Sequence, residues 1–224
     1  MKISNLIAIT GLIAALGACK VNNNNPGDAG KSVSTYQYVS AKESLKKAYF
    51  ASGCFWCVEA VYESVKGVEE SVSGYAGGHT ENPTYEASNT GKTGHAEAVE
   101  IYYDSTVVDF PTLVEVYFGS QNITQVNGQG PDRGSQYRSI IFYQNEAEKK
   151  IIEAKIAALN AEIAPEKVAA EVMPFEKFWV AEAYHQDYEK LHPNQGYIQN
   201  VSIPRLKRFQ EKFPHLIKEG SQHE

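Results

Sequence analysis

Ala48-Tyr49-Phe50-Ala51-Ser52-Gly53-Cys54-Phe55-Trp56-Cys57-Val58-Glu59-Ala60-Val61-Tyr62 is the stretch on which the reading of the fold turns. Its first four residues are aromatic or apolar, the pattern of a short buried strand running into Ser52-Gly53. Beyond the glycine the period changes: Val58, Val61, Tyr62 and Val65 fall at helical spacing. The spacing predicts a helix that starts near Cys54 and stops before Gly67.

The same alternation of strands and helices continues downstream. Val68 to Tyr75 reads as a strand ending in the turn signal Gly77-Gly78, and Ala96 to Tyr103 alternates apolar and polar positions as a second strand. Asp109 can cap a helix whose early Pro111 tolerates its missing donor, with Leu113, Val114, Tyr117 and Phe118 on the buried side. Ser139 to Tyr143 is a further strand. Glu146 to Glu162 is an amphipathic helix with Ile152, Ile156 and Leu159 on one face. Val168 to Met173 reads as a strand stopped by Pro174. With the polar, Gly-containing stretch from Gly119 to Gln136, this predicts an α+β two-layer sandwich: a mixed sheet with flanking helices. Periodicity leaves the strand order open.

At 224 residues the chain fits one domain with a tail, and a hydrophobic fraction of 42% suffices for a sizeable core. Its 21 Lys+Arg against 27 Asp+Glu, a net charge of -6, exclude a nucleic-acid backbone binder. Three cysteines are too few for a disulfide scaffold.

The N-terminus reads as a targeting signal. Lys2 supplies a positive charge, and Ile3 to Ala18 is apolar apart from Ser4, Asn5 and Thr10. A transmembrane helix needs about 20 apolar residues. Leu16-Gly17-Ala18-Cys19 resembles a bacterial lipoprotein signal, which implies diacylation of Cys19; the alternative is a plain secretory peptide. The expected organisation is a signal over 1–18, a flexible tether over 19–40 that includes Asn22 to Asn25 and Pro26-Gly27, and a folded domain over 41–224. The expected location is extracytoplasmic, in a bacterial cell envelope, anchored to a membrane through lipidated Cys19.

Cys54-Phe55-Trp56-Cys57 carries the chemistry. A cysteine at a helix N-terminus faces unpaired N–H groups and the positive end of the dipole, which lower its pKa toward thiolate. Residues three apart on a first turn have Cα atoms about 5–6 Å apart, within reach of a disulfide. Cys54 is therefore a candidate nucleophile that Cys57 can reach. Half of a zinc site and a structural disulfide are the competing readings; zinc needs two more ligands, and His79, His95, His185 and His192 do not recur at metal-ligand spacing.

The flanking residues narrow this. Gly53-Cys54-Phe55-Trp56 with Glu59 closely resembles the active-site motif of the type A peptide methionine sulfoxide reductases. The resemblance continues through Gly74-Tyr75-Ala76-Gly77-Gly78, Asn82-Pro83-Thr84-Tyr85, Gly94-His95-Ala96-Glu97, Asp132-Arg133-Gly134-Ser135-Gln136-Tyr137 and Phe178-Trp179-Val180-Ala181-Glu182 with Tyr184-His185-Gln186, in the family's order. It implies a ferredoxin-like fold and reduction of the S epimer of methionine sulfoxide, free or in oxidised proteins and peptides. It also implies Cys54 as nucleophile, Glu97 as acid, Tyr85 and Tyr137 as donors to the developing oxyanion, Phe55 and Trp56 as the apolar wall around the S-methyl group, and Asp132 as a contact to the substrate backbone. His185 and Tyr197 are expected to support the pocket.

Those residue types suit the reaction. A sulfoxide sulfur is a poor electrophile until its oxygen is protonated or strongly hydrogen-bonded, so the site needs a thiolate, a proton donor and a dry pocket. Many family members place resolving cysteines in a C-terminal tail after a Gly-Tyr pair. Here Gly196-Tyr197 is followed by Ile198, and no cysteine follows Cys57. Cys57 is then the expected resolving thiol, and an external dithiol of thioredoxin type the expected reductant. No cofactor, metal or nucleic acid is implied, and a monomer is expected. A general dithiol oxidoreductase and a non-catalytic envelope lipoprotein are the rival readings; both leave Tyr85, Glu97 and Tyr137 without a role.

Overall fold

A computed structural model describes residues 45–221; Cys19, the signal and the tether lie outside them. Eight strands are present among the described residues, six of them in one sheet. β1 (Lys46–Ser52) and β3 (Ala96–Tyr103) pair antiparallel at its centre. β2 (Val68–Ala76) flanks β3, and β8 (Phe178–Val180) forms the edge beyond it. On the other side β6 (Ser139–Tyr143) pairs with β1, and β7 (Glu171–Pro174) closes the edge as the one parallel partner. The order β7-β6-β1-β3-β2-β8 makes the sheet mixed. β4 (Gly128–Gln129) and β5 (Asp132–Arg133) form a separate small hairpin inside the polar stretch.

Six α-helices complete the described chain: α1 (Phe55–Glu63), α2 (Tyr85–Asn89), α3 (Phe110–Gly119), α4 (Glu146–Ile163), α5 (Tyr188–Leu191) and α6 (Ile203–Lys212). Asp109, as expected, caps α3 by accepting from Thr112 N, with Pro111 in the first turn.

Side chains alternate across a strand, so the two faces can be read by parity. Phe50, Val99, Ile101 and Ile141 lie in the main core with α1, α3 and α6, while Tyr49, Ala51, Ala96, Ala98, Ile140 and Phe142 form a second cluster on the opposite face. β3 is buried along its whole length, although the sequence alternates. Its acidic residues therefore sit inside. Glu100 is satisfied there by the Tyr49 and Tyr102 hydroxyls and by Lys47. Glu97 shares parity with Val99 and Ile101 and so lies on the helix-covered face, at the end nearest the start of α1.

The strand expected over Val168 to Met173 is displaced. Val168 N bonds Asn160 Oδ1 and Ala169 N bonds the Ile123 carbonyl, so these residues pack on a loop and on α4. Pairing with β6 begins at Glu171 and includes Pro174, tolerated because β7 is an edge strand whose outer side needs no donor.

Candidate active site

The site is built where β1 hands the chain to α1. Gly53 makes the turn at φ +81°, and a Cβ there would fall 2.5 Å from Gln129 Cβ, so close packing and backbone sign both require glycine. Cys54 occupies the N-cap position and leaves the first N–H groups of α1 without a side-chain cap. One is taken by Glu97: Phe55 N donates to Glu97 Oε2 at 3.0 Å. The carboxyl is 1% exposed, and burial pushes its pKa to about 8 against the opposing pull of that hydrogen bond. The Asp132 and Cys57 charges push the same way.

Both cysteines are buried free thiols that hydrogen-bond one another. The helix terminus was expected to lower Cys54. Burial instead raises its pKa, with Cys57 and the Glu97 carboxylate adding to the effect. The lowered thiol is Cys57, at about 7, favoured by its bond to Cys54, the Arg205 charge, and the Ser202 and Tyr197 hydroxyls, with burial opposing.

Aromatic side chains pack beside the thiols. Phe55 contacts the Trp56, Tyr75 and Tyr85 rings and lies 4.9 Å from the His185 ring. Trp56 stacks on Tyr188 at 3.8 Å and donates from Nε1 to His185 Nδ1 at 3.2 Å. That bond, with burial lowering the His185 pKa to about 4, keeps the imidazole neutral. Tyr137, in a short 3-10 turn at Ser135–Tyr137, titrates well above an ordinary phenol because of burial and then the neighbouring Glu97, Tyr85, Cys54 and Asp132 charges. Tyr85 is raised likewise, again chiefly by burial. Both phenols therefore stay protonated near neutrality and can act as donors.

Tyr197 donates to Asp132 Oδ2 at 2.6 Å and lies 3.8 Å from Cys57 Sγ. The structure thus brings Cys54, Cys57, Phe55, Trp56, Tyr85, Glu97, Asp132 and Tyr137 to one region. Cys19 lies outside the described residues.

The motifs gave Glu59 and Glu182 no role, and Arg205 lay outside them. Glu182 receives Tyr85 N and the Tyr75 hydroxyl, each at 2.9 Å, and so orients Tyr85 from 97 positions away. Buried Glu59 receives Ser73 Oγ and Asp187 N, tying α1 to β2 and to the turn before α5. Arg205 of α6 donates to the Ser120 and Ser52 carbonyls and to Ser52 Oγ, each at 2.8 Å. Ile203, Leu206 and Phe209 at helical spacing, with Pro204 in the first turn, mark α6 but not the arginine's target. His95 is structural, accepting from Gly78 N and reaching the Thr80 carbonyl.

Paired sulfurs beside a carboxyl that keeps its proton can pass both electrons and protons to a polar substrate, which is the chemistry of a thiol-dependent oxidoreductase. Comparison with known proteins makes the class specific. The profile of the family "Peptide methionine sulfoxide reductase" matches residues 46–217, and the chain belongs to that family; its activity is methionine sulfoxide reduction. Over 173 residues it is 45% identical to peptide methionine sulfoxide reductase MsrA of Pasteurella multocida, covering 77% of this chain and 99% of that one. The enzyme of the same name from Saccharolobus solfataricus is 44% identical over 78% of this chain and 98% of its own. Among solved structures, methionine sulfoxide reductase A of Corynebacterium diphtheriae superposes with a TM-score of 0.64 at 31% identity, covering 70% of this chain and 79% of that one. Reduced Mxr1 from Saccharomyces cerevisiae gives 0.62 at 29% identity, over 69% and 90%.

Proposed function

We propose that Cys54 is the nucleophile of an S-epimer-specific reductase and that Cys57 resolves its product. The observation that carries this reading is Glu97: a buried carboxyl held protonated near neutrality, bonded to the N–H that follows Cys54. Its proton activates the sulfoxide oxygen, with Tyr85 and Tyr137 as further donors. The same proton removes one negative neighbour of Cys54, a smaller contribution to its raised pKa than burial and Cys57. Phe55 and Trp56 supply the apolar wall for the S-methyl group, and Asp132, held by Tyr197, is available to the substrate backbone.

The step balances without a cofactor. The sulfoxide sulfur gains two electrons and leaves as methionine, while Cys54 loses two and takes the oxygen as a sulfenic acid. Cys57 then attacks that sulfur, water leaves, and a Cys54–Cys57 disulfide forms. An external dithiol of thioredoxin type returns the pair to thiols. The order β6-β1-β3-β2, with every neighbour antiparallel, supports the ferredoxin-like reading of the core. The sequence pattern around Cys19 supports a lipid-anchored, extracytoplasmic protein with a signal over 1–18, a tether over 19–40 and the catalytic domain beyond it.

The test is turnover of dabsyl-methionine S-sulfoxide and R-sulfoxide with dithiothreitol. The S epimer is reduced, the R epimer is not, and Cys54→Ser reduces neither. Equal turnover of both epimers overturns the stereochemical assignment, and turnover by Cys54→Ser overturns the nucleophile.

A further inference from the structure

The disulfide that this reading forms has no downstream cysteine to carry it to the surface. Its reductant must therefore reach a sulfur inside the domain, and Cys54 and Cys57 are only 7% and 2% exposed. A cavity of about 700 Å³ opens toward one of them. Cys57 lines it and Cys54 does not; nor do Phe55, Trp56, Tyr85, Glu97 or Tyr137. Tyr197 lines this cavity and meets the aromatic cluster, with its ring edge-on to Trp56 at 6.1 Å and its hydroxyl toward Cys57 and Asp132.

The cavity is also charged. Arg205, Arg208 and Lys212 of α6 line it, against Asp132 as the lone carboxylate in its wall. Their spacing of three and then four residues puts them on one helix face. Arg205 is spent on the carbonyls and hydroxyl at the base. Exposed Arg208 and Lys212 have no acidic partner within 4 Å among the described residues. A cationic lip beside a sulfur fits a protein donor that carries acidic side chains around its attacking cysteine and is drawn in by positive potential.

We propose that this α6 face is the docking surface for the reductant, a dithiol protein whose attacking cysteine sits among acidic side chains, and that it attacks Cys57 rather than Cys54. The inference rests on the assignment of the Cys54–Cys57 disulfide. The donor thiolate forms a bond to Cys57 Sγ; the Cys54–Cys57 bond breaks, and Cys54 departs with the electron pair and takes a proton. The donor's second thiol then attacks the donor sulfur of the mixed disulfide and releases Cys57 as a thiolate beside Arg205. Two electrons pass to the enzyme, one proton goes to Cys54 and a second to Cys57 when its thiolate takes one from solvent, and the donor leaves as a disulfide. Substrate and reductant thus approach the cysteine pair from two sides.

The experiment uses the full chain with thioredoxin, its reductase and NADPH, or with dithiothreitol, which has no protein surface to dock on the lip. Charge reversal at the lip, Arg208→Glu with Lys212→Glu, is expected to raise the KM for thioredoxin by about tenfold or more, and the milder pair Arg208→Gln with Lys212→Gln by a smaller factor. Salt above about 0.5 M should shrink the difference between wild type and both variants. Dithiothreitol-driven turnover should stay within about twofold of wild type. A thioredoxin lacking its second cysteine should be trapped on Cys57 in a mixed disulfide located by peptide mass spectrometry. A thioredoxin KM unchanged in both variants, a parallel loss with both reductants, or trapping on Cys54 overturns the proposal. Wild type that fails to reduce the sulfoxide with either reductant refutes the functional reading instead.

Discussion

Replacing Glu97 by glutamine keeps the shape that receives Phe55 N but removes the ionisable proton, so it separates the acid from its geometry. With a pKa of about 8 in the folded protein, about nine in ten Glu97 carboxyls are protonated at pH 7. In wild type, single-turnover release of methionine should therefore fall as pH rises through about 8. The variant should be slower by about 10²–10⁴ and should lose that limb. Stability carries a second signature. A carboxyl whose pKa is higher folded than unfolded holds its proton more tightly in the native state, so its contribution is complete below the unfolded pKa and is lost on rising through the folded one. The interval from 4.5 to about 8 corresponds to an upper bound of roughly 5 kcal/mol. Wild-type stability minus that of the variant, from urea unfolding, should thus decline between pH 4.5 and 8 and level off above. A flat difference, together with an unchanged rate profile in the variant, refutes the buried acid.

Tyr85→Phe and Tyr137→Phe should each slow single-turnover reduction by about 10²-fold if each phenol donates to the oxyanion, with unfolding curves close to wild type; an undiminished rate removes that tyrosine from the set. Gly53→Ala should destabilise by at least about 1–2 kcal/mol, because its φ of +81° disfavours a Cβ and Gln129 occupies the space; a midpoint within error of wild type contradicts the close approach. Cys19→Ala should abolish acylation and membrane fractionation, whereas an intact mass of wild type without acyl chains leaves plain secretion.

What the sequence revealed depended on how local each signal was. The turn at Gly53, the helix after Cys54 and the cap at Asp109 are set by neighbours within a few positions, and all are found where expected. Glu97 was visible only through its motif. Alternation along β3 allows a solvated glutamate as readily as a buried one, and the cover over Glu97 comes from another element, the start of α1, where Phe55 packs in the main core and donates its N–H to the carboxyl. The Cys54 pKa was misjudged for a related reason. A helix terminus is a local feature, whereas burial and the Glu97 charge, which outweigh it, come from assembly of the whole sheet. Glu182 and Arg205 act across 97 and 153 residues, and no spacing rule reaches so far. The strand expected over Val168 to Met173 starts only at Glu171, because Asn160 and Ile123 accept from Val168 N and Ala169 N in place of β6.

The central claim, that Cys54 takes the oxygen and Cys57 removes it, is tested most directly by intact mass after one turnover. Reduced wild type and Cys57→Ser are each mixed with excess methionine S-sulfoxide in the absence of reductant, quenched and weighed. Each should release close to one methionine. Wild type should end about 2 Da lighter than its reduced form, as one disulfide requires, and the variant about 16 Da heavier, as a sulfenic acid on Cys54 requires. Wild type gaining about 16 Da, or the variant releasing no methionine, contradicts the account.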